Sequence, residues 1–337
     1  MQAVILASGR GSRFRPLTDA VPKPLLQLLN QPLLEYLIVA LAQAGCTQLF
    51  VTLGYAGDQI RRFLTTLQVS AQILPVQAPE WKKGPLTSFQ ATLSHLAPDA
   101  PLLLVPGDLY ISSQNLQPLM AHDLGLAILF DSTQHHPGTL IQLDSCQNVS
   151  DIIQSKTALP DFVSAVPALR VTPEFLASIT HSTPNAQVTV FSLLHQWLQA
   201  GHPLQGVPLV NQNWCDIDLP HHLLDLNHYL LSKAWPPQPL PPGTYVPSNS
   251  VLEGPIENDA LIVGEASKIH GPTLIGPQVE IADHCLIRGG TTLGAATRVQ
   301  ANSELSDCIT FSQAFVPSNA VVNRAVLDAQ GFIVRAD

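Results

Sequence analysis

From residue 263 an apolar side chain falls at every sixth position: Val263, Ile269, Ile275, Ile281, Ile287, Leu293, Val299 and Leu305. Gly264, Gly276 and Gly294 directly follow three of them. A helix repeats about every 3.6 residues and does not gather this set on one face. A single strand would, but it is rarely longer than about 10 residues, so neither accounts for the whole set. A coil with three short straight sides does: every sixth side chain fills the interior and successive coils stack in parallel. The spacing predicts a parallel β-helix of triangular section, about four or five coils long. The register loosens through Val316, Val322 and Val326. Upstream, Trp235-Pro-Pro-Gln-Pro-Leu-Pro-Pro-Gly243 forms a stiff linker. The expected organisation is a domain over 1–234, a linker over 235–243 and the β-helix over 244–337.

The first domain opens on another pattern. Residues 3 to 7 are all small or apolar with no polar alternation, as in a strand buried on both faces. Gly9 and Gly11 then bracket a tight turn, where the lack of Cβ atoms lets a ligand approach the backbone N–H groups. Arg10, Arg13 and Arg15 place fixed positive charge on that turn, and Lys23 follows between Pro22 and Pro24. A strand that feeds a glycine turn studded with cations is a cradle for nucleotide phosphates. Short Gly-x-Gly turns are also common in solvated loops. The Rossmann fingerprint is incomplete, with Phe14 where a third glycine belongs, and the Gly-Lys-Ser/Thr of a P-loop is absent.

Further along, Leu33–Ala44 has apolar residues at helical spacing and stops at Gly45. Leu49–Leu53 reads as a second strand, and Gly54 to Asp58 turns into a helix through Leu64. Val69–Val76 reads as a third strand, 88–96 as a helix, and Leu102–Val105 as a fourth strand ending in Pro106-Gly107-Asp108. Two amphipathic helices are expected within 188–232. Such alternation indicates a parallel or mostly parallel sheet with helices on both faces, and ligands bind at the carboxyl ends of its strands. Both the glycine turn and Asp108 sit at such ends.

Charged residues are 12% of the chain against 46% hydrophobic, which favours a large buried core over disorder. The net charge of −9 argues against a general nucleic-acid binder, though not against a local basic pocket. Cys46, Cys146, Cys215, Cys285 and Cys308 show no CxxC pairing and read as small core residues in a reducing compartment. With no leader-like or membrane-spanning stretch in view, a soluble cytoplasmic protein is expected.

The segment from Met1 to Leu25 resembles the signature loop of sugar-phosphate nucleotidylyltransferases, G-x-G-T/S-R-x-x-P-L-T followed by P-K-P-L. The resemblance implies a Rossmann-like, mostly parallel nucleotidyltransferase domain followed by a left-handed hexapeptide-repeat β-helix. It implies nucleotide contacts from Leu6, Ala7, Ser8, Gly9, Arg10, Gly11 and Ser12, with Arg13 and Lys23 acting on the triphosphate. Asp108 matches the family's first metal aspartate. Asp216, in Asn213-Trp-Cys-Asp-Ile-Asp-Leu-Pro220, matches the second in W-x-D-x-x-T-P, with Asp218 a nearby alternative and Leu219 where Thr is usual. Mg²⁺ is the implied ion. Gln77 and Gly84 match residues near the base, though their gap is longer than in relatives and Pro85 removes an N–H.

On the sugar side, Gly138 and Lys156 match the family's glycine and phosphate-binding lysine. The expected acid before the lysine is Ser155, and a later glycine is Pro167 or Ala168. The implied reaction joins a nucleoside triphosphate and a sugar 1-phosphate into a nucleotide sugar and pyrophosphate. The altered sugar pocket leaves two rivals, a non-catalytic nucleotide-sugar-binding regulator and transfer to another acceptor such as phosphocholine. Hexapeptide repeats also occur in acyltransferases, for which His270 and His284 are the available histidines. The β-helix is read instead as packing and homo-oligomerisation surface. No nucleic-acid or membrane partner is expected.

Overall fold

The computed structural model describes residues 1–97, 99–121, 123–133, 138–180, 189–234, 251–252, 261–331 and 333–335. The Pro-rich segment 235–243 lies outside them. Two compact units result. The first joins Met1–Arg10, Pro22–Leu25 and Leu33–Asp216; the second joins Gly11–Val21, Leu26–Pro32 and Ile217–Asp337.

In the first unit, strands β1 (Gln2–Leu6), β2 (Gln48–Leu53), β3 (Gln72–Gln77) and β4 (Leu102–Pro106) form a parallel array in the order β3-β2-β1-β4. Helices α1 (Leu33–Ala44), α2 (Gly57–Leu64) and α3 (Pro85–Gln90) make the crossovers. The continuous apolar run of β1 is explained by what covers it. Ala3 and Ile5 face one core with Leu37, Leu41 and Ile60, while Val4 faces the other with Phe89 and Phe175. A strand covered on both sides has no position left for a polar residue. Helix α1 ends as its sequence indicates. Gly45 takes φ +111° and the Cys46 N–H returns to the Leu41 carbonyl, satisfying a terminal acceptor.

Most pairings in the rest of the sheet are antiparallel. After β5 (Leu109–Ile111) come β6 (Ala127–Asp131), β7 (Gly138–Leu143), β8 (Val149–Ser155) and β9 (Val163–Val171). Strand β9 pairs antiparallel with β4, β6 and β7, and β8 pairs antiparallel with β7. Strand β10 (Gln205–Pro208) lies parallel to β6, and β11 (Trp214–Asp216) makes a small ribbon with β5. Helices α4 (Pro173–Thr180) and α5 (Val190–Gln199) pack with α3 on the Val4 face. The architecture is α/β, with a parallel four-stranded half built from β3, β2, β1 and β4. The third strand begins at Gln72, later than its apolar pattern suggests. The helix expected over 88–96 is α3 followed by a short 3-10 turn at Leu93–His95, because Pro85 starts it early at a position where no N–H is needed.

The second unit contains the stacked coils. Strand pairs step from Ile262–Val263 to Glu280–Ile281, Arg298–Val299 and Phe315–Val316, all parallel. Two further parallel ladders run beside this one, making a parallel β-helix of four full coils among the described residues. All eight residues of the six-residue register are at most 1% exposed, and burying each contributes about 1.5–3 kcal/mol. The loosening has a local cause. Thr292 pairs with Ile309 and Leu293 with Thr310, a step of 17 where the preceding coil steps 18. One residue is missing at the corner around Asp307, where φ is +53°, and a second at the corner around Arg324, where φ is +45° and Ile309 again steps 17 to Val326. The final strand, Ile333–Arg335, pairs antiparallel with Ala325–Leu327. Helix α6 (Pro220–Ala234) belongs to this unit and seats on a corner glycine: the buried Asn227 donates to the Gly290 carbonyl at 3.0 Å and accepts from Thr292 at 2.8 Å.

Candidate nucleotide-binding site

Strand order reverses between β1 and β4, the place where an open α/β sheet leaves a crevice at its carboxyl ends. Beyond β1 the chain is tightly held. The Ala7 N–H donates to Thr52 Oγ1 at 3.0 Å, Ser8 Oγ lies 2.6 Å from Ser88 Oγ, and the Tyr55 N–H donates to the Ser8 carbonyl. Gly54 makes that approach possible, since a Cβ there would stand 2.6 Å from the Ser8 oxygen. Leu6 is partly exposed, Ala7 and Ser8 are buried, and Gly9 and Arg10 emerge. A Cβ on Gly9 would meet nothing within 4 Å and its φ is unexceptional, so packing does not require glycine there.

Beyond β4, Gly107 lies against β1, its N–H donating to the Leu6 carbonyl at 2.9 Å. The next residue, Asp108, accepts from Lys23 Nζ at 2.5 Å. Lys23 is only 8% exposed, folded into a 3-10 turn between its two prolines. A lysine this buried needs its paired carboxylate. Asp108 leads into β5, whose Leu109 pairs with Asp216 on β11, and carboxylate oxygens of Asp108 and Asp216 lie within 4.8 Å of one another.

Strand β11 is braced from beneath by residues that sequence patterning did not single out. Asn115, fully buried, donates to the Asn211 carbonyl and accepts from the N–H groups of Val210 and Asn211. Trp214 Nε1 donates to Asp131 Oδ2 at 2.8 Å. Burial of Asp131 raises its carboxyl pKa, but hydrogen bonds from Thr133, Trp214 and Gln212 outweigh this and hold it below the usual carboxylate value. Asp131 is a fully buried, ionised anchor for Trp214, which lies two residues before Asp216 in the ribbon.

An aromatic shelf borders the glycine turn. The Arg10 guanidinium lies 5.2 Å from the Tyr55 ring centroid, and Tyr55 meets Trp81 edge-on at 6.0 Å. Trp81 stands between Gln77, exposed at the end of β3, and Gly84, whose φ is +119°. Tyr55 and Trp81 offer flat surfaces for a base or ribose. The only sequence signal was their placement in loops beyond strand ends.

Among the residues expected to border the sugar, Gly138 and Ser155 face each other across β7 and β8, and the exposed Lys156 follows directly. Residues 134–137 before Gly138 lie outside the described residues. Ser155 turns its hydroxyl to the Thr157 carbonyl at 2.7 Å. Pro167 sits where the β9 register shifts between Val166 and Leu169, a bulge that tolerates a residue without an N–H.

The second unit carries the remaining motif residues. Gly11 adopts φ 69°, ψ 44°, which opens a 3-10 turn over Ser12–Phe14. Its carbonyl accepts from the Phe14 N–H and from Thr18 Oγ1. Arg13 Nη1 lies 2.7 Å from Asp218 Oδ1.

Comparison with known proteins decides the family. The MobA-like NTP transferase domain matches residues 3–204, well over half of the chain. This chain belongs to that family. Among relatives, a probable mannose-1-phosphate guanylyltransferase 1 of Oryza sativa is 26% identical over 310 residues, 88% of this chain and 81% of the relative. A putative mannose-1-phosphate guanyltransferase of Sulfolobus acidocaldarius is 25% identical over 289 residues, 80% and 74% of the two chains. An N-acetylmuramate alpha-1-phosphate uridylyltransferase of Neisseria meningitidis is 48% identical over 60 residues, which spans 18% of this chain and only 26% of that relative. The NTP transferase match includes the glycine turn, Lys23, Asp108 and Lys156, and ends before Asp216.

Proposed function

We propose that this NTP transferase is a Mg²⁺-dependent sugar-1-phosphate nucleotidylyltransferase. The observation that carries the reading is the Lys23–Asp108 pair, set at the switch point of the sheet beside a glycine turn whose Gly9 no packing demands. In this reaction an oxygen of the sugar phosphate attacks the α-phosphorus of the nucleoside triphosphate. The bond from that phosphorus to the β-phosphate bridging oxygen breaks, and pyrophosphate leaves with its electrons. The attacking oxygen is already ionised near neutral pH, so catalysis rests on positioning and charge neutralisation. Backbone N–H groups of Gly9 to Gly11 and the fork of Arg13 would hold the triphosphate. Lys23 would bear on the α-phosphate as charge builds. Lys156, beside Gly138, would bring the acceptor phosphate, and Gln77, Gly84, Tyr55 and Trp81 would border the nucleoside.

Asp108 and Asp216 supply hard oxygen ligands at a separation that suits Mg²⁺, which typically takes one or two carboxylates together with substrate phosphates. When bound, the ion would neutralise phosphate charge. Relatives named as guanylyl- and uridylyltransferases make GTP and UTP the first donors to test, with mannose 1-phosphate and N-acetylmuramate 1-phosphate among the acceptors. Cytoplasmic residence fits a consumer of nucleoside triphosphates. Among the described residues no helix is long and apolar enough to cross a membrane. The β-helix is proposed as the surface for homo-oligomerisation.

Pyrophosphate release, measured with Mg²⁺ across the five common triphosphates and a panel of sugar 1-phosphates plus phosphocholine, tests the reading. A signal for one sugar-phosphate pair is expected. Silence throughout, with nucleotide sugars still raising the melting temperature, would replace catalysis by the regulatory reading that Ser155 favours.

A further inference from the structure

Arg13 has a partner at a position that the W-x-D-x-x-T-P motif leaves open. We propose that Asp218 is a built-in competitor for Arg13: it holds the guanidinium in the ligand-free protein and yields it to the incoming triphosphate, and so sets nucleotide affinity. The proposal rests on the nucleotide reading above.

Three observations carry it. First, the ion pair is short, 2.7 Å, yet its side chains are 62% and 45% exposed, so a ligand reaches both and exchange requires little desolvation. Second, both backbones are held within one compact unit, so only side chains need to move. On the Arg13 side, Thr18 Oγ1 donates to the Gly11 carbonyl and Phe14 is fully buried. On the Asp218 side, its N–H donates to His222 Nδ1 at 3.2 Å at the start of α6, and Asn227 pins α6 to Gly290 and Thr292. Third, a carboxylate presents the same pair of oxygens to a guanidinium fork as a phosphate does, with less charge. The triphosphate therefore wins the fork, and Asp218 subtracts from its affinity. When pyrophosphate leaves, the same carboxylate takes the arginine back.

Calorimetric titration of the full-length chain tests this, using ATP, CTP, GTP, UTP and dTTP with Mg²⁺. The wild type is compared with Asp218→Asn, Asp218→Ser, Arg13→Ala and the Arg13→Ala/Asp218→Asn double variant, each first shown to melt cooperatively. Asp218→Asn and Asp218→Ser are expected to bind the preferred triphosphate about three- to five-fold more tightly, the range an exposed pair supports. The gain is expected to vanish in the Arg13→Ala background. Unchanged or weaker binding by both Asp218 variants would overturn the proposal. So would a gain of equal size without Arg13, which would mean that Asp218 acts only through its charge. A wild type that binds none of the five triphosphates would remove the nucleotide reading itself, an outcome seen before any variant is compared.

Discussion

Lys23 and Asp108 depend on one another. Replacing Lys23 by Ala would leave Asp108 in a half-buried site without its cation and take positive charge from the α-phosphate. Turnover measured by pyrophosphate release is expected to fall on the order of 10²–10³-fold; a rate within threefold of wild type would displace Lys23 from the reaction. Asp131 acts at the same scale through Trp214. Its folded pKa lies below the unfolded value, so its stabilisation is complete above the unfolded pKa of about 3.9 and is lost as pH falls through the folded value. Asp131→Asn should therefore lower the melting temperature by a constant amount between about pH 7 and 5, and the difference from wild type should shrink below about pH 4. A pH-independent difference would mean that shape rather than charge is at stake. The cysteines divide by burial. Burial pushes the Cys46 thiol up to about 12 and Cys308 to about 11, and raises Cys285. Cys146, expected in the core, is exposed. A thiol reagent should modify Cys146 rapidly in the native protein, with Cys46, Cys285 and Cys308 reacting only on unfolding.

At the scale of elements, the site depends on β1 and β4 lying close enough to bring the glycine turn beside Asp108. Gly107 is the contact: a Cβ there would stand 3.0 Å from Ala7 Cβ and 3.1 Å from the Leu6 oxygen. Those are backbone and strand atoms with little room to give. Gly107→Ala is expected to cost about 1–3 kcal/mol in denaturant unfolding and to lower turnover along with it. Unchanged stability would show that the strand ends part without strain. The β-helix carries the same constraint between coils. A Cβ on Gly294 would fall 2.6 Å from the Thr310 carbonyl and the Ser312 nitrogen of the next coil, which is why glycine follows the inward leucine there. The apolar period shows which residues point inward; only the stacked coils show which outward positions have no room for a side chain.

For the whole molecule, the grouping of segments matters more than their order in the chain. Gly11–Val21 and Leu26–Pro32 gather with the β-helix, and the hairpin at Gln27 to Pro32 reaches it directly. Asn30 Nδ2 donates to the Leu293 carbonyl at 3.2 Å and Gln27 Nε2 to Ser312 Oγ at 3.4 Å. Removing everything after Ala234 would strip these partners, together with those of Asn227, from the Arg13-bearing unit. A 1–234 fragment is expected to be insoluble or to lose turnover entirely. A soluble fragment with near-normal pyrophosphate release would show that the β-helix is dispensable for chemistry.

Local chemistry made much of this legible in the sequence. A period of six has one compact solution, a run of apolar residues without alternation requires cover on both faces, and Gly45 must end its helix. These rules act over a few neighbouring residues and need no knowledge of distant ones. The expected cations, Arg13 and Lys23, could be proposed from one continuous segment, and the expected acids, Asp108 and Asp216, from two further short motifs, each read from neighbouring residues alone. Partner choice was not legible. That Lys23 meets Asp108 across 85 positions, that Asp131 holds Trp214 across 83, and that Arg13 meets Asp218 depend on long-range closure of the chain. No local preference encodes such pairs, because each side chain carries only a charge or a donor that many partners would satisfy. Tertiary packing selects one partner by fixing which backbones come close enough to pair.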